Sequence, residues 1–385
     1  MGVDEWNWFR MTGFSEACTI PTGAPDVETM LQAETAHRLG EKAGRQWRYT
    51  SHGLKAALRA SSEGCVQWHQ SEERMSCPKI GRVSERPSIR KGAQALAEAQ
   101  AAGLDFDLLI DMQDARDTDI AMRKTVAPVL CFNRPAGAVG RVLWPMQHVH
   151  GVGSPAFSGQ FGGADLVPFA QRKDRFVWRG NINGSTRPMA PSGLTTAETD
   201  LSASSRVVSA RFLLDRQRDP AQAAALWDKL RLVPRFGFID GFQHHPLADI
   251  GLTTQHENPA LQSCLRPRLS QAEMAANRYI VVLPGADLAT SFFWSMASGS
   301  LCFVMDHVWQ SFASCHFKPW EHYLPFAQDC SDFAARLDWA RANPDACAAM
   351  AARAQAVMRV LDRAEYRQRA NTRLVDALRE RMAKG

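Results

Sequence analysis

Apolar residues in this chain follow two rhythms, and the rhythm changes along its length. Apolar runs of strand length occur at residues 107–112, 128–132, 141–146 and 176–178. Pro128 can only open its strand, because it has no N–H for the ladder. Ahead of these runs, residues 91–103 are alanine-rich and predict a helix that Gly103 ends. A second set of elements follows. Residues 209–215 and 220–230 predict helices, with Pro220 at a helix start. Residues 269–277 predict a helix opened by Ser270. Residues 279–283 form a β-branched run that ends at Pro284-Gly285. Residues 288–298 then predict a helix and 301–305 a strand. From Ser331 the chain is helical nearly to its end, punctuated at Asn343-Pro344. There Met350, Ala354, Val357, Met358 and Leu361 recur at three and four, while Arg353, Arg359, Arg363, Arg367 and Arg369 mark a solvated face.

Strand, glycine and helix in repeated order predict an α/β protein with parallel sheets. The composition suggests three parts: an N-terminal domain over 1–187, a second α/β domain over 206–342, and C-terminal helices over 343–385. Residues 1–90 carry little pattern beyond short helical stretches at 27–46 and 53–60. Residues 188–205, rich in Pro, Ser, Thr, Ala and Gly, read as a linker.

The 385 residues are 45% hydrophobic, enough for a sizeable core. The net charge of +5 is spread along the chain. With no basic stripe or RNA-binding module, nucleic acid is not an expected partner. No run approaches the ~18 apolar residues that span a bilayer, and the N-terminus lacks the pattern of a signal peptide. The 9 cysteines form no CxxC pair, which argues against a disulfide framework or a zinc site. The expectation is a cytoplasmic protein with at most peripheral contact with the inner face of a membrane. No G-x-G-x-x-G follows a strand, which disfavours a nicotinamide enzyme.

Three segments carry candidate chemistry. In GLDFDLLIDMQD (103–114) an apolar strand runs into carboxylates, and acidic groups at the end of a parallel strand face the ligand crevice. In FVWRGNINGSTR (176–187) a strand enters a loop of small polar residues with an arginine at each end. Such a loop lets backbone N–H groups and a guanidinium approach phosphate. The third segment begins YIVVLPG (279–285) and continues through ATSFFW (289–294) and SGSLCF (298–303) to KPWEHYLP (318–325). Gly285 there opens a strand-to-helix turn, and residues 287–290 are expected to aim helix N-terminal N–H groups at phosphate. Trp320, His322 and Tyr323 read as bracing for a turn. The Asp105/Asp107 pair sits at a strand start and is discounted as a metal site.

Together the three segments resemble glycosyltransferase family 90, the protein O-glucosyltransferases and capsule-associated, lipopolysaccharide-modifying enzymes. The resemblance spans roughly residues 90–380 and is most specific over 279–332. It implies a GT-B-like architecture: two Rossmann-like domains facing across a cleft, with a C-terminal helix crossing back. It implies inverting transfer of glucose or xylose from a UDP-sugar to a hydroxyl acceptor on a glycan or glycolipid, with no metal and no further cofactor. Asp114 falls on the family's catalytic base. Trp178, Arg179, Gly180, Asn181, Ser185, Arg187, Gly285, Asp287, Thr290 and Ser291 fall on the donor site. Arg206 and Arg211 are further candidates for holding the diphosphate. The chain departs from the family pattern at Gln113, at Pro188, and at Ser291 to Phe293, where the family carries Arg or Lys. That last departure keeps open a second reading, a UDP-sugar-binding homologue without turnover.

Overall fold

The computed structural model describes residues 25–40, 65–76, 87–112, 129–138, 140–146, 152, 167–184, 210, 213–214, 219, 223–253, 258–285 and 287–383. Helix α1 (Val27–Leu39) opens at Asp26, whose carboxylate accepts from Thr29 N at 2.9 Å. Strands β1 (Cys65–His69) and β2 (Arg74–Ser76) form an antiparallel pair. Helix α2 (Pro87–Ala101) ends where sequence predicts. Gly103 takes φ +95°, its N–H reaches Gln100 O at 3.0 Å, and Leu104 N reaches Ala99 O at 3.0 Å, the paired bonds of a left-handed helix stop. Strands β3 (Leu108–Asp111), β4 (Val129–Cys131), β5 (Asn133–Pro135) and β6 (Arg141–Leu143) follow. The first sheet has the order β2-β1-β3-β4-β6, with β3, β4 and β6 parallel.

The second sheet is built from β7 (Lys173–Gly180), β8 (Ala248–Leu252), β9 (Asn277–Val282), β10 (Leu301–Met305) and β12 (Leu324–Phe326), while β11 (Trp309–Ser311) pairs with β5 instead. All five strands are parallel in the order β12-β10-β9-β7-β8. Numbered along the chain this is 2-1-3-4-5, so the winding reverses between β7 and β9. Both faces are covered. Tyr279, Val281, Leu301, Phe303 and Met305 pack with α3 (Ala223–Leu230), α4 (Pro234–Phe242) and α7 (Phe333–Ala342). The alternate residues Val282, Cys302 and Val304 pack with α6 (Phe292–Ala297) and α8 (Pro344–Leu361). Ile280 and Val177 meet Met274 of α5 (Gln271–Ala275). Burial of both faces explains why these strands read as continuous apolar runs.

Because β7 pairs with β8 and β9, the change of sheet falls between residues 146 and 173, ahead of the boundary at 187 suggested by composition. Elements missed from sequence include β8, with Gly251 inside it, and α4, with Gly237 and Gly241. Intrinsic propensity disfavours both, and tertiary packing overrides it. The final helix α9 (Ala364–Ala383) carries Tyr366 and Ala370 in the core beside the second sheet. It also carries Leu374, Val375 and Leu378 in the core of the first, where they join Leu130, Phe132 and Trp144. No helix among the described residues is long and apolar enough to cross a membrane.

A buried polar cluster ties α1 to α9 and to the segment after β11. Glu34 accepts from Arg38 Nη1 (3.2 Å) and the Tyr366 hydroxyl (2.9 Å), and lies 3.2 Å from His316 Nε2. Arg38 also donates to Leu143 O (3.0 Å) and Asn371 Oδ1 (2.9 Å). Burial pushes the Glu34 carboxyl up, but His316, Arg38 and Tyr366 together outweigh it, and the net shift is downward. Glu34→Ala leaves Arg38 buried without its carboxylate, at a cost of about 3–5 kcal/mol measurable by denaturant unfolding. The lowered Glu34 value means its ionised form contributes stability above the ordinary carboxyl value of 4.5, which is lost as pH falls through the folded value. The difference between wild type and Glu34→Gln therefore narrows below that pH.

Candidate functional site

At the carboxyl edge of the second sheet, β7 ends in Trp178, Arg179 and Gly180, β8 leads to Thr253, and β9 leads through Leu283 and Pro284 to Gly285. They enclose an open cavity of about 380 Å³ at the point where the winding reverses. The geometry brings Trp178, Arg179, Gly180, Asn181, Gly285, Asp287, Thr290 and Ser291 to its walls. Asp114, Ser185, Arg187, Arg206 and Arg211 lie outside the described residues. Sequence reading missed other lining residues, among them Arg235, Thr253, Arg268, Leu269, Met274 and Trp294.

Arg235, at the start of α4, organises the floor. Its Nε donates to Pro284 O (3.2 Å), Nη1 to Asn181 O (2.9 Å) and Nη2 to Leu283 O (3.4 Å). One guanidinium thus joins the exits of β7 and β9, and it sits 5.8 Å from the Trp178 ring centroid. Burial lowers its pKa to about 10 while Asp287 opposes the shift, so it stays protonated at neutral pH. Two of its five N–H groups remain for a ligand. Gly285 leaves room for this approach, since a Cβ there would lie 2.8 Å from Arg235 Nη2 and oblige the guanidinium to shift. Thr253 closes the side, its N–H to Gly180 O (3.0 Å) and its hydroxyl to Asn181 Oδ1 (3.3 Å). Asp287 is buried and accepts from Asn133 Nδ2 of β5 at 2.6 Å, so a strand outside the second sheet holds one wall.

Two expectations change. Arg179 lines the cavity, but it does not offer its fork to a diphosphate. Nε donates to Pro267 O (2.9 Å), Nη1 to Trp178 O (3.0 Å) and Asp249 O (2.6 Å), and Nη2 pairs with Asp249 Oδ1 (2.5 Å). Four of its five N–H groups are engaged. The turn after Gly285 is not a helix N-terminus either: α6 begins only at Phe292, and Gly285 N bonds Asp287 O at 3.0 Å in a local turn. Asp287 and Thr290 therefore line the cavity from a turn. Phe292 and Phe293 are buried in the apolar core, so the window after Ser291, already without Arg or Lys in the sequence, provides no cation.

The KPWEHYLP segment braces a turn, as expected. Trp320 has φ +64°, packs edge-on against Trp339 at 5.4 Å and lies under Arg336. His322 Nδ1 accepts from Lys318 N (3.1 Å), and burial lowers its pKa to about 4. Asp107 accepts from Gln70 N (2.9 Å) and Asp105 pairs with Arg379, so the two carboxylates have separate structural partners. Gly285→Ala is expected to displace Arg235 and weaken ligand binding in this cavity by roughly tenfold, about 1.4 kcal/mol, in calorimetric titration.

Residues 241–366 match the model for glycosyl transferase family 90. The match covers β8 through α8, and so the Thr253, Arg268 and Gly285 to Trp294 walls, while β7 and Arg235 lie before it. The chain is 30% identical over 132 residues to the O-glucosyltransferase LpsA of Dichelobacter nodosus, covering 34% of this chain and 41% of that protein. It is 36% identical over 86 residues to the uncharacterized protein 035R of Invertebrate iridescent virus 3, covering 22% of this chain and 8% of that one. The chain therefore spans less than half the length of either relative. Through the segment that forms one half of this crevice, the chain is similar to glycosyl transferase family 90.

Proposed function

We propose that this protein transfers a hexose or pentose, glucose or xylose, from a UDP-sugar to a hydroxyl acceptor on a surface polysaccharide or lipopolysaccharide glycan, with inversion at the anomeric carbon. The observation that carries the reading is the cavity at the β7/β9 reversal, where parallel α/β sheets bind nucleotides. The family model's match over 241–366 and the likeness to an O-glucosyltransferase support sugar transfer. In this proposal the two sheets form a GT-B-like pair of lobes, with the donor in the crevice of the second. The apolar side of the cavity, Trp178, Leu269, Met274 and Trp294, suits a base and ribose. The polar side, with Arg235 and the Asn181 and Asn183 loop, suits the diphosphate, whose charge grows as the nucleotide leaves. Asp114, taken from the family resemblance, would accept the acceptor hydroxyl's proton as that oxygen attacks the anomeric carbon. The proposal uses arginines and amides for the leaving group and needs no metal.

A thermal-shift panel of UDP-, GDP- and CMP-sugars tests the donor. UDP-glucose or UDP-xylose should raise the melting temperature, by mass action, more than the others. A panel without response defeats the reading. Asp114→Asn should cut sugar transfer and UDP-glucose hydrolysis by roughly 10²–10⁴-fold while leaving UDP affinity unchanged. The burial of Phe292 and Phe293, where the family carries a cation, favours a second reading, a UDP-sugar-binding scaffold. UDP binding without turnover, insensitive to Asp114→Asn, would decide for it.

A further inference from the structure

Three arginines line the cavity, and their N–H groups are not equally available. Arg179 is pinned by Asp249 and backbone carbonyls, and Arg235 bridges the carbonyls of two strand exits. Arg268 is exposed and has no hydrogen-bond or ion-pair partner among the described residues. It lies on the cavity wall in the stretch that leads from the end of β8 to α5.

That stretch is fixed on both sides of Arg268. Leu265 bridges Leu252 in parallel, and Arg266 N donates to Leu252 O (2.8 Å), so the segment lies alongside the exit of β8. Pro267 O, immediately before Arg268, accepts Arg179 Nε at 2.9 Å. On the far side, Ser270 makes a reciprocal cap with Glu273: Glu273 N donates to Ser270 Oγ (3.1 Å), and Ser270 N donates to Glu273 Oε2 (2.7 Å). A long side chain with five free donors therefore rises from a backbone held at either end, over a cavity whose other guanidinia are largely engaged.

We infer that Arg268 supplies the two-point guanidinium contact to the anionic group of the ligand in this cavity, beside the partly engaged Arg235, and that Arg179 is a positioning residue that acts through Pro267 to present it. The inference rests on the nucleotide-sugar reading above, which makes that group a diphosphate. A guanidinium with both edges free can take two phosphate oxygens at once, which Ser291 cannot do. It supplies from the β8 side the positive charge that the buried Phe292 and Phe293 do not.

The test compares UDP with uridine, which share the base and ribose and differ in charge. Titration calorimetry on the full chain should show Arg268→Ala weakening UDP by tenfold or more. Uridine affinity and melting temperature should stay as in wild type, and Arg268→Lys should recover part of the loss. Arg179→Lys keeps a charge for Asp249 but loses the planar fork that reaches Pro267. It should show the same selective loss for UDP to a smaller degree. Unchanged UDP affinity in Arg268→Ala overturns the inference while leaving the nucleotide reading intact. Equal loss of UDP and uridine also overturns it, since that marks a collapsed pocket rather than a lost phosphate contact. Wild-type protein that binds neither compound overturns the nucleotide reading itself, and this inference with it.

Discussion

Two parallel strands whose crossovers leave on opposite faces of a sheet part at their carboxyl ends, and the backbone carbonyls exposed there need donors. Strands β7 and β9 are such a pair, with α3 and α4 on one face and α6 on the other. Arg235 meets the need from α4, reaching Asn181 O on one side and Leu283 O and Pro284 O on the other. A planar fork can do this, where an ammonium acts as a single point charge. The bare backbone at Gly285 and the Trp178 ring beside the guanidinium are consequences of making room for it. The cavity lies where the winding reverses, and that clasp spans the two strand exits at its edge.

The second sheet does not complete this site by itself. Asn133, from the strand that pairs with β11, holds Asp287 at the cavity wall, and Asp287 in turn favours the charged form of Arg235. The buried Glu34 cluster is a separate join, whose partners come from α1, α9 and the segment after β11. A carboxylate at that depth is tolerable only while all its partners stay in place.

The arginines show how a sequence motif and its physical role can part. Arg179 follows an aromatic residue and precedes Gly180, the pattern that points to phosphate. In the folded chain, Asp249 of β8 and the carbonyl of Pro267 engage it. Arg235 and Arg268 belong to no readable motif. Arg235 sits among phenylalanines and glycines in a helix that propensity disfavours, and Arg268 sits in a short irregular stretch. Nothing local marks them, because what selects them is the approach of strand ends that lie far apart in the chain.

The sequence alone determined the α/β class, the apolar strands β3, β9 and β10, the stop at Gly103, the cap at Ser270 and the Gly285 turn. Each of these follows from side-chain periodicity or from backbone freedom within a few residues, which neighbours in the chain decide. It also pointed to the parts of the cavity wall at the exits of β7 and β9, because strand exits and glycine turns have local signatures. The tertiary structure alone decided that β7 joins the second sheet, that α6 starts after the turn, and which arginine keeps its donors free. Those outcomes depend on hydrogen-bond partners tens to hundreds of residues away, and a guanidinium's availability is what remains after all of them have been satisfied.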